Sequence, residues 1–455
     1  MESARRACAF FLSRLRSEVE RLSSLDFPGH HSGPHLWLKL VGGEIDTAEA
    51  YLQRSRELGL GRAAKSRHIV DAEDFANEAY ELLEHMAGAD ATHIPHQIVA
   101  PFQRWVDGLG IRNTIFFRAE HAPNYELSGV EYDLDSLNNP SPTLVAAHGA
   151  MRWPVLRVTV PSQALGMLPH FAVVGHELGH AIEERIKLPS GKYDALWAAC
   201  GVNIERRLGE FGKSELLAAQ AILANWVVEL KSDAVGFLIA GPAFYFALCG
   251  FLELSGPGYG IGETHPPSVV RRRLLFEQMS ADDPSFTHVF RSEAGITVRE
   301  RINSPHITGL PSPDTLFRHL TLSLGRENAA ICVELVPLIE AMADDIFRAA
   351  RQYLTRTKAR SMIYAPGQLK LDLERHLEPL AALIPPIEFQ SDGAMHATSL
   401  ASILNVGWAA LLVNRGRSQD SPDDNLGTRR MDKLHELLLK AVELSEARRL
   451  WDECQ

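Results

Sequence analysis

The sequence predicts a mainly α fold with a small central β-sheet, an α+β arrangement, and three observations carry that expectation. Apolar residues recur at helical spacing through residues 1–95 and again from 281 to the end. Two short runs rich in β-branched and aromatic residues, bounded by Pro and Asn, stand between them. The chain has 455 residues, 45% apolar and 23% charged, which is a globular balance with apolar surface for more than one core. The expected division is an N-terminal helical region over 1–95, a central core over 96–280 and a C-terminal helical region over 281–455.

In the first region Phe10, Phe11, Leu15, Val19 and Leu22 recur at near-helical spacing, so a helix is expected there. The same spacing predicts helices over 44–58 and 71–86. Between them Pro28-Gly-His-His-Ser-Gly-Pro34 is a turn-rich break. Its histidines, His30, His31 and His35, sit on a Gly/Pro-rich loop, a poor holder of ligands because a metal site needs fixed geometry. In the central region Thr114–Arg118 and Val155–Val160 read as strands. Helical patterning returns after Pro161 and runs to about residue 254. The last region predicts helices over 328–355, 369–383, 398–413 and 430–451, with a polar loop at 415–424. No internal repeat is present.

Composition narrows the function classes. There are 46 Lys and Arg against 57 Asp and Glu, a formal net charge of −11. A general nucleic-acid binder needs the opposite balance to displace phosphate counterions, so no nucleic-acid partner is expected. Cys8, Cys200, Cys249, Cys332 and Cys454 are odd in number and form no C-x-x-C pair, so neither a disulfide framework nor a thiolate metal site is expected. The first 25 residues mix Arg and Glu among their apolar side chains, which leaves no signal-peptide core and makes the cytoplasm the expected compartment. Ala234–Leu252 carries no charged side chain and meets the lower length limit of a membrane span. Pro242 after Gly241 removes a helical hydrogen bond, so a buried, interrupted core helix is the expectation instead.

The chemistry concentrates in Phe171-Ala-Val-Val-Gly-His-Glu-Leu-Gly-His-Ala-Ile182. Here His176-Glu177-x-x-His180 has the H-E-x-x-H form. On a helix, residues four apart lie about 40° from each other around the axis, so both imidazoles can reach one ion. Glu177 flanks that ion without needing to bind it and is placed to move a proton. The flanks are apolar, so three polar groups on a buried helix need a reason. A core helix whose histidines bond to carbonyls is the plainer alternative. The metzincin pattern would continue with glycine at 183 and histidine at 186, but the chain has Glu183 and Ile186, which excludes that class. Among downstream acids Glu229 stands out. It shares a helix, starting near Ser214 as its cap, with Asp233 four residues later. Glu229 can bind the ion while Asp233 accepts the outer N–H of a ligating His. A solvated face shared with Lys231 is the competing reading. Glu183, Glu184, Glu205 and Glu210 are weaker candidates.

His176-Glu177-x-x-His180, then Glu229-x-x-x-Asp233, then Thr264-His265-Pro266-Pro267 and Arg271-Arg272-Arg273 together resemble the gluzincin class of zinc metallopeptidases. They are most similar to the M48-type peptidases related to the CAAX prenyl protease and the heat-shock protease of bacterial membranes. The resemblance covers roughly residues 150–280 and implies a zincin-like metallopeptidase core with a small β-sheet, flanked by the two helical regions. It implies one Zn2+ held by His176, His180 and Glu229, with Glu177 as general base and acid and Asp233 orienting a histidine. By analogy His265 faces the active site and stabilises the oxyanion, with Tyr259 and Tyr193 as other donors. Its Thr-His-Pro-Pro setting also reads as the start of a helix. The Arg triplet reads as an exposed helix face. Val155–Val160 is expected as an edge strand to which an extended peptide adds itself. The chain lacks the clear multiple spans of the family's membrane members, so membrane association is not expected.

The expected function is therefore a zinc-dependent metalloendopeptidase that hydrolyses peptide bonds through a Glu-activated, zinc-bound water, with a protein or peptide substrate as partner. The long helical flanks motivate an alternative, a catalytically silent or regulatory binding protein on a zincin scaffold. A metal-assisted hydrolase of a non-peptide bond is a third reading, since ligands do not fix the substrate. Oligomeric state is left open by the sequence.

Overall fold

Helix makes up 74% of the structure and strand 6%, so the mainly α expectation holds and the sheets are small. The structure, a computed structural model, describes residues 1–25, 27, 33–57, 59–86, 88–90, 93–121, 125–130, 132, 134, 140–189, 191–208, 212–254, 262–283, 312–391, 394–418 and 424–454. The chain packs as two compact units, one of residues 1–100 with 112–165 and one of 101–111 with 166–455.

The first unit contains α1 (Glu2–Ser23), α2 (Gly33–Arg54), α3 (Arg62–Glu84), the start of α4 (His96–Gly108), β1 (Ile115–Glu120), β2 (Glu126–Val130), α5 (Pro142–Ala150) and β3 (Val155–Pro161). Trp37, Val41, Glu44, Ala48 and Tyr51 form one buried stripe on α2. The buried Ala72, Ala76 and Ala79 of α3 are small enough to bring the two axes close. The Trp37 indole N–H donates to the Leu82 carbonyl at 2.7 Å and Tyr51 stacks on Phe75, which fixes an antiparallel pairing. Glu44 is the exception in that stripe. Neither of its carboxylate oxygens has a hydrogen-bond partner among the described residues. Burial, and then the charge of Glu78, pushes its carboxyl up to about 8.

The three strands are ordered β1-β3-β2, with β1 parallel and β2 antiparallel to β3. Val158 pairs with Phe117 on one side and Leu127 on the other. β3 is therefore the central strand, not an edge, and both its ladders are taken, so a peptide cannot add to it. β2 and α5 were not anticipated. The strand Glu-Leu-Ser-Gly-Val lacks the alternation that marks a half-buried strand. α5 carries an ordinary start signal, with the Ser141 hydroxyl accepting the Leu144 N–H and Pro142 in the first turn.

In the second unit the helical pattern expected after Pro161 begins with short pieces. A 3-10 segment over Leu168–Val173, with Pro169 in its first turn, leads into the seven-residue α6 (Val174–His180). After a 3-10 turn at Glu183–Arg185 come α7 (Asp194–Leu208), α8 (Lys213–Ala240), α9 (Pro242–Leu254) and α10 (Ser268–Asp282). These are followed by α11 (Pro313–Leu324), α12 (Arg326–Arg356), α13 (Gln368–Ala381), β4 (Glu388–Ser391), β5 (Ala394–Ala397), α14 (Leu400–Ser418) and α15 (Asp424–Glu453). The β4–β5 hairpin, which was not anticipated, fills the gap between the helices expected over 369–383 and 398–413; Pro385-Pro386 ahead of it cannot continue a helix. α8 begins from Gly212, whose N–H is taken by Glu215 Oε2, so Ser214 lies inside the first turn rather than at the cap.

The charge-free stretch 234–252 is broken as expected. Gly241 adopts φ +65° between α8 and α9, a conformation that suits glycine. The Asn405 amide on α14 donates to the Ala240 carbonyl and accepts the Ala243 N–H, both at 2.8 Å, so two backbone groups freed by the break are satisfied. The Tyr364 ring leaves no room for a Cβ on Gly241, which would sit 2.4 Å from it. Among the described residues no helix is long and apolar enough to cross a membrane.

Candidate metal centre

Glycines bring α6 and α8 together. A Cβ on Gly179 would lie 2.6 Å from the Ser232 Cα, and one on Gly175 would lie 3.1 Å from the Gly236 Cα. A Cβ on Gly236 in turn would meet the His176 backbone nitrogen at 3.0 Å. Backbone against backbone at this spacing allows the short His and Glu side chains of the two helices to meet.

They meet in one buried cluster. Nε2 of His176 and Nε2 of His180 face each other at 3.1 Å. Glu229 Oε2 is 3.4 Å from the first and Glu229 Oε1 is 3.5 Å from the second. On the far side of the His176 ring, Nδ1 lies 2.9 Å from Asp233 Oδ1. His176, Glu177, Glu229 and Asp233 are all buried.

These separations suit an ion better than a hydrogen-bonded core. Two imidazole nitrogens in contact can share only one proton, and the carboxylate is too far from either for a good hydrogen bond, whose usual N···O distance is about 2.9–3.0 Å. Ligands about 2.0–2.1 Å from a four-coordinate ion stand ~3.3–3.4 Å apart along the edge of the tetrahedron. The two imidazole nitrogens stand 3.1 Å apart, and the Glu229 carboxylate reaches them with separate oxygens, Oε2 at 3.4 Å from His176 and Oε1 at 3.5 Å from His180. Glu229 Oε2 is buried and accepts no hydrogen bond among the described residues. The group His176, His180 and Glu229 could thus hold a metal ion.

The electrostatics agree. Burial works against charge on His176, yet the neighbouring Asp233 and Glu229 carboxylates outweigh it and raise the imidazole to about 10. Burial, then the charge of His176, lowers His180 to about 4. Glu229 is held down at about 2 because His176, Arg271 and His265 overcome its burial. Asp233 is lowered in the same way, chiefly by Arg271 and His176 against burial. The carboxylates demand positive charge at the imidazole pair; a single proton supplies it on His176, and a metal ion would take that proton's place.

His265 completes one side. Its Nε2 is 3.4 Å from Glu229 Oε1, its Nδ1 is 2.8 Å from the Thr264 hydroxyl, and its side chain is 41% exposed, so it faces the cluster from the solvent side. The helix-start reading of this segment holds, since α10 begins directly after Pro266-Pro267. The turn is tied to α8 by the Trp226 indole N–H, which donates to the Gly262 carbonyl at 2.7 Å.

Several expectations change. Arg271 and Arg272 are buried rather than exposed, at 3% and 7%. Arg271 belongs to the cluster: it donates twice to Asp233. Tyr193 gives its hydroxyl to Asp345 beside Lys192, which commits it elsewhere. Glu183 pairs with Lys231 at 3.4 Å, and Glu184 and Glu205 are exposed. His35 is exposed at the start of α2. His30, His31, Glu210 and Tyr259 lie outside the described residues. Two features escaped the sequence reading, Arg271 and the glycines. The Gly175-x-x-x-Gly179 spacing around the histidines was the available signal for the close helix crossing. Comparison with protein-family models, curated proteins and solved structures gave no match.

Proposed function

We propose that the protein is a zinc-dependent metallopeptidase of the gluzincin type, with His176, His180 and Glu229 as ligands of one Zn2+. The observation that carries this reading is the closed triangle of two imidazole nitrogens and one carboxylate, with the acid Glu177 next to it on the same helix. Zinc suits two nitrogens and an oxygen in a tetrahedral site, whereas calcium and magnesium prefer oxygen alone. When bound, it supplies Lewis acidity, which acidifies water and polarises a carbonyl.

The chain's own residues do the rest. Glu177 takes the proton that water gives up and delivers it to the departing amine nitrogen. Asp233 holds the His176 ring with Nε2 turned toward Glu229. His265, on the solvent side, donates its imidazole N–H to the carbonyl oxygen as negative charge develops there. A protein or peptide is the substrate in this reading.

Elemental analysis of the wild type and of Glu229→Ala tests the ligand set, and digestion of a broad peptide library by the wild type and Glu177→Gln tests the chemistry. We expect one zinc per wild-type chain, clear loss in Glu229→Ala, and Glu177→Gln that keeps zinc while losing about 10²–10⁴-fold in hydrolysis. Folded, zinc-supplied wild type without metal would make the cluster a proton-linked core and favour the binding-protein alternative.

A further inference from the structure

Arg271 reaches the cluster from α10. Its Nε donates to Asp233 Oδ2 at 2.9 Å and its Nη2 to Asp233 Oδ1 at 2.6 Å, the parallel fork of a bidentate pair. Its third nitrogen, Nη1, lies 3.4 Å from Glu229 Oε2. One guanidinium thus spans two carboxylates that stand one helical turn apart on α8. Asp233 Oδ1, which receives Nη2, is also the oxygen that faces His176 Nδ1. Arg271 is 3% exposed and Asp233 0%, so water cannot stand in for either partner.

This arrangement has a directional consequence. With both oxygens committed to the fork, Asp233 cannot rotate to become a ligand itself, and its Oδ1 stays 2.9 Å from Nδ1 of the His176 ring. That contact decides where Nε2 of His176 points. On the other side Nη1 attracts Glu229 Oε2 without saturating it, since no hydrogen bond reaches that oxygen among the described residues. The carboxylate keeps its place and its lone pairs.

We propose that Arg271 is a positioning residue for the metal, which fixes the ligand atoms of His176 and Glu229 through Asp233 before an ion arrives. The proposal rests on the zinc reading of the cluster. Lysine at this position carries the same charge on a single nitrogen and cannot form the fork, so Arg271→Lys separates geometry from charge. If Arg271 acts through Asp233, its effect should vanish once Asp233 is altered.

The test is the zinc dissociation constant of the full chain, measured by competition with a chelating dye. It is read for the wild type, Arg271→Lys, Asp233→Asn and the double variant, beside the thermal midpoint of each zinc-free protein. Arg271→Lys and Asp233→Asn should each weaken zinc binding about 10–100-fold, the usual effect of losing a partner that orients a ligand. The double variant should bind no more weakly than the weaker single one. Arg271→Gln serves the same comparison if the lysine variant does not fold. A lowered midpoint with unchanged zinc affinity would make Arg271 purely structural and overturn the proposal, as would losses that add in the double variant. A wild type that binds no zinc would instead overturn the metal reading, before any Arg271 variant is measured.

Discussion

Gly179 and Ser232 touch backbone to backbone: a methyl group on Gly179 would sit 2.6 Å from the Ser232 Cα and 2.9 Å from its carbonyl oxygen. Neither atom can retreat without moving α8. Gly179→Ala should therefore push α6 and α8 apart, destabilising the fold by about 1–3 kcal/mol as overpacking does. It should also widen the gap between His180 and Glu229 and weaken zinc binding. Urea denaturation and a zinc titration on the same preparation check both effects. Unchanged zinc affinity would show that the crossing does not set the ligand distance.

His265 offers the opposite case, a residue whose loss should spare the fold. Its side chain is 41% exposed. His265→Ala should keep the zinc content and the thermal midpoint while lowering kcat about 10²–10³-fold, the usual effect of losing one oxyanion donor. A variant with wild-type kcat would remove His265 from the reaction.

Glu44 sets a pH dependence of its own in the first unit. Its carboxyl keeps its proton up to about pH 8 in the folded chain, because burial and then Glu78 disfavour the charge. In the unfolded chain a Glu loses that proton near pH ~4.3. The folded state binds the extra proton between these values, so stability is fully present below the lower one and falls as pH rises through about 8. Glu44→Gln keeps the shape and removes the titration. It should match the wild type at pH 4 and exceed it at pH 8.5 by on the order of 2–4 kcal/mol, read from urea midpoints. Parallel profiles for the two proteins would refute a buried neutral Glu44.

At the α8–α9 break, Asn405 serves both Ala240 and Ala243 through its amide. Asn405→Ala should leave a carbonyl and an N–H buried without a partner, at a cost of about 2–4 kcal/mol with little change in the denaturant slope. Stability within a few tenths of a kcal/mol of wild type would mean that other groups take over those bonds.

The sequence made some of this legible and hid the rest for physical reasons. His176, His180, Glu229 and Asp233 could be placed on common faces because a helix repeats its geometry every turn, and spacing of four is readable from letters alone. Arg271 could not. Three consecutive arginines carry no periodic mark to say which one turns inward, and the choice is made by a helix 38 residues earlier in the chain. The central place of β3 was equally hidden, because edge or centre is decided by which strands pair with it, not by its own residues. Leu168–Val173 read as helix since an apolar run buried on all sides has no period to distinguish an α turn from a 3-10 turn. The pair Gly241-Pro242 was readable, because those two residues force a break wherever they stand.

Trp226 gives the cluster an optical voice. Its indole is fully buried, lies three residues before Glu229 on α8, and holds the turn that carries His265 through the Gly262 carbonyl. An event that shifts Glu229 or His265 must therefore change the surroundings of this one chromophore. The chain has seven tryptophans, so the useful quantity is the difference in emission between wild type and Trp226→Phe. Followed during rapid mixing, that difference would turn any binding event at the cluster into rates that can be timed without a label.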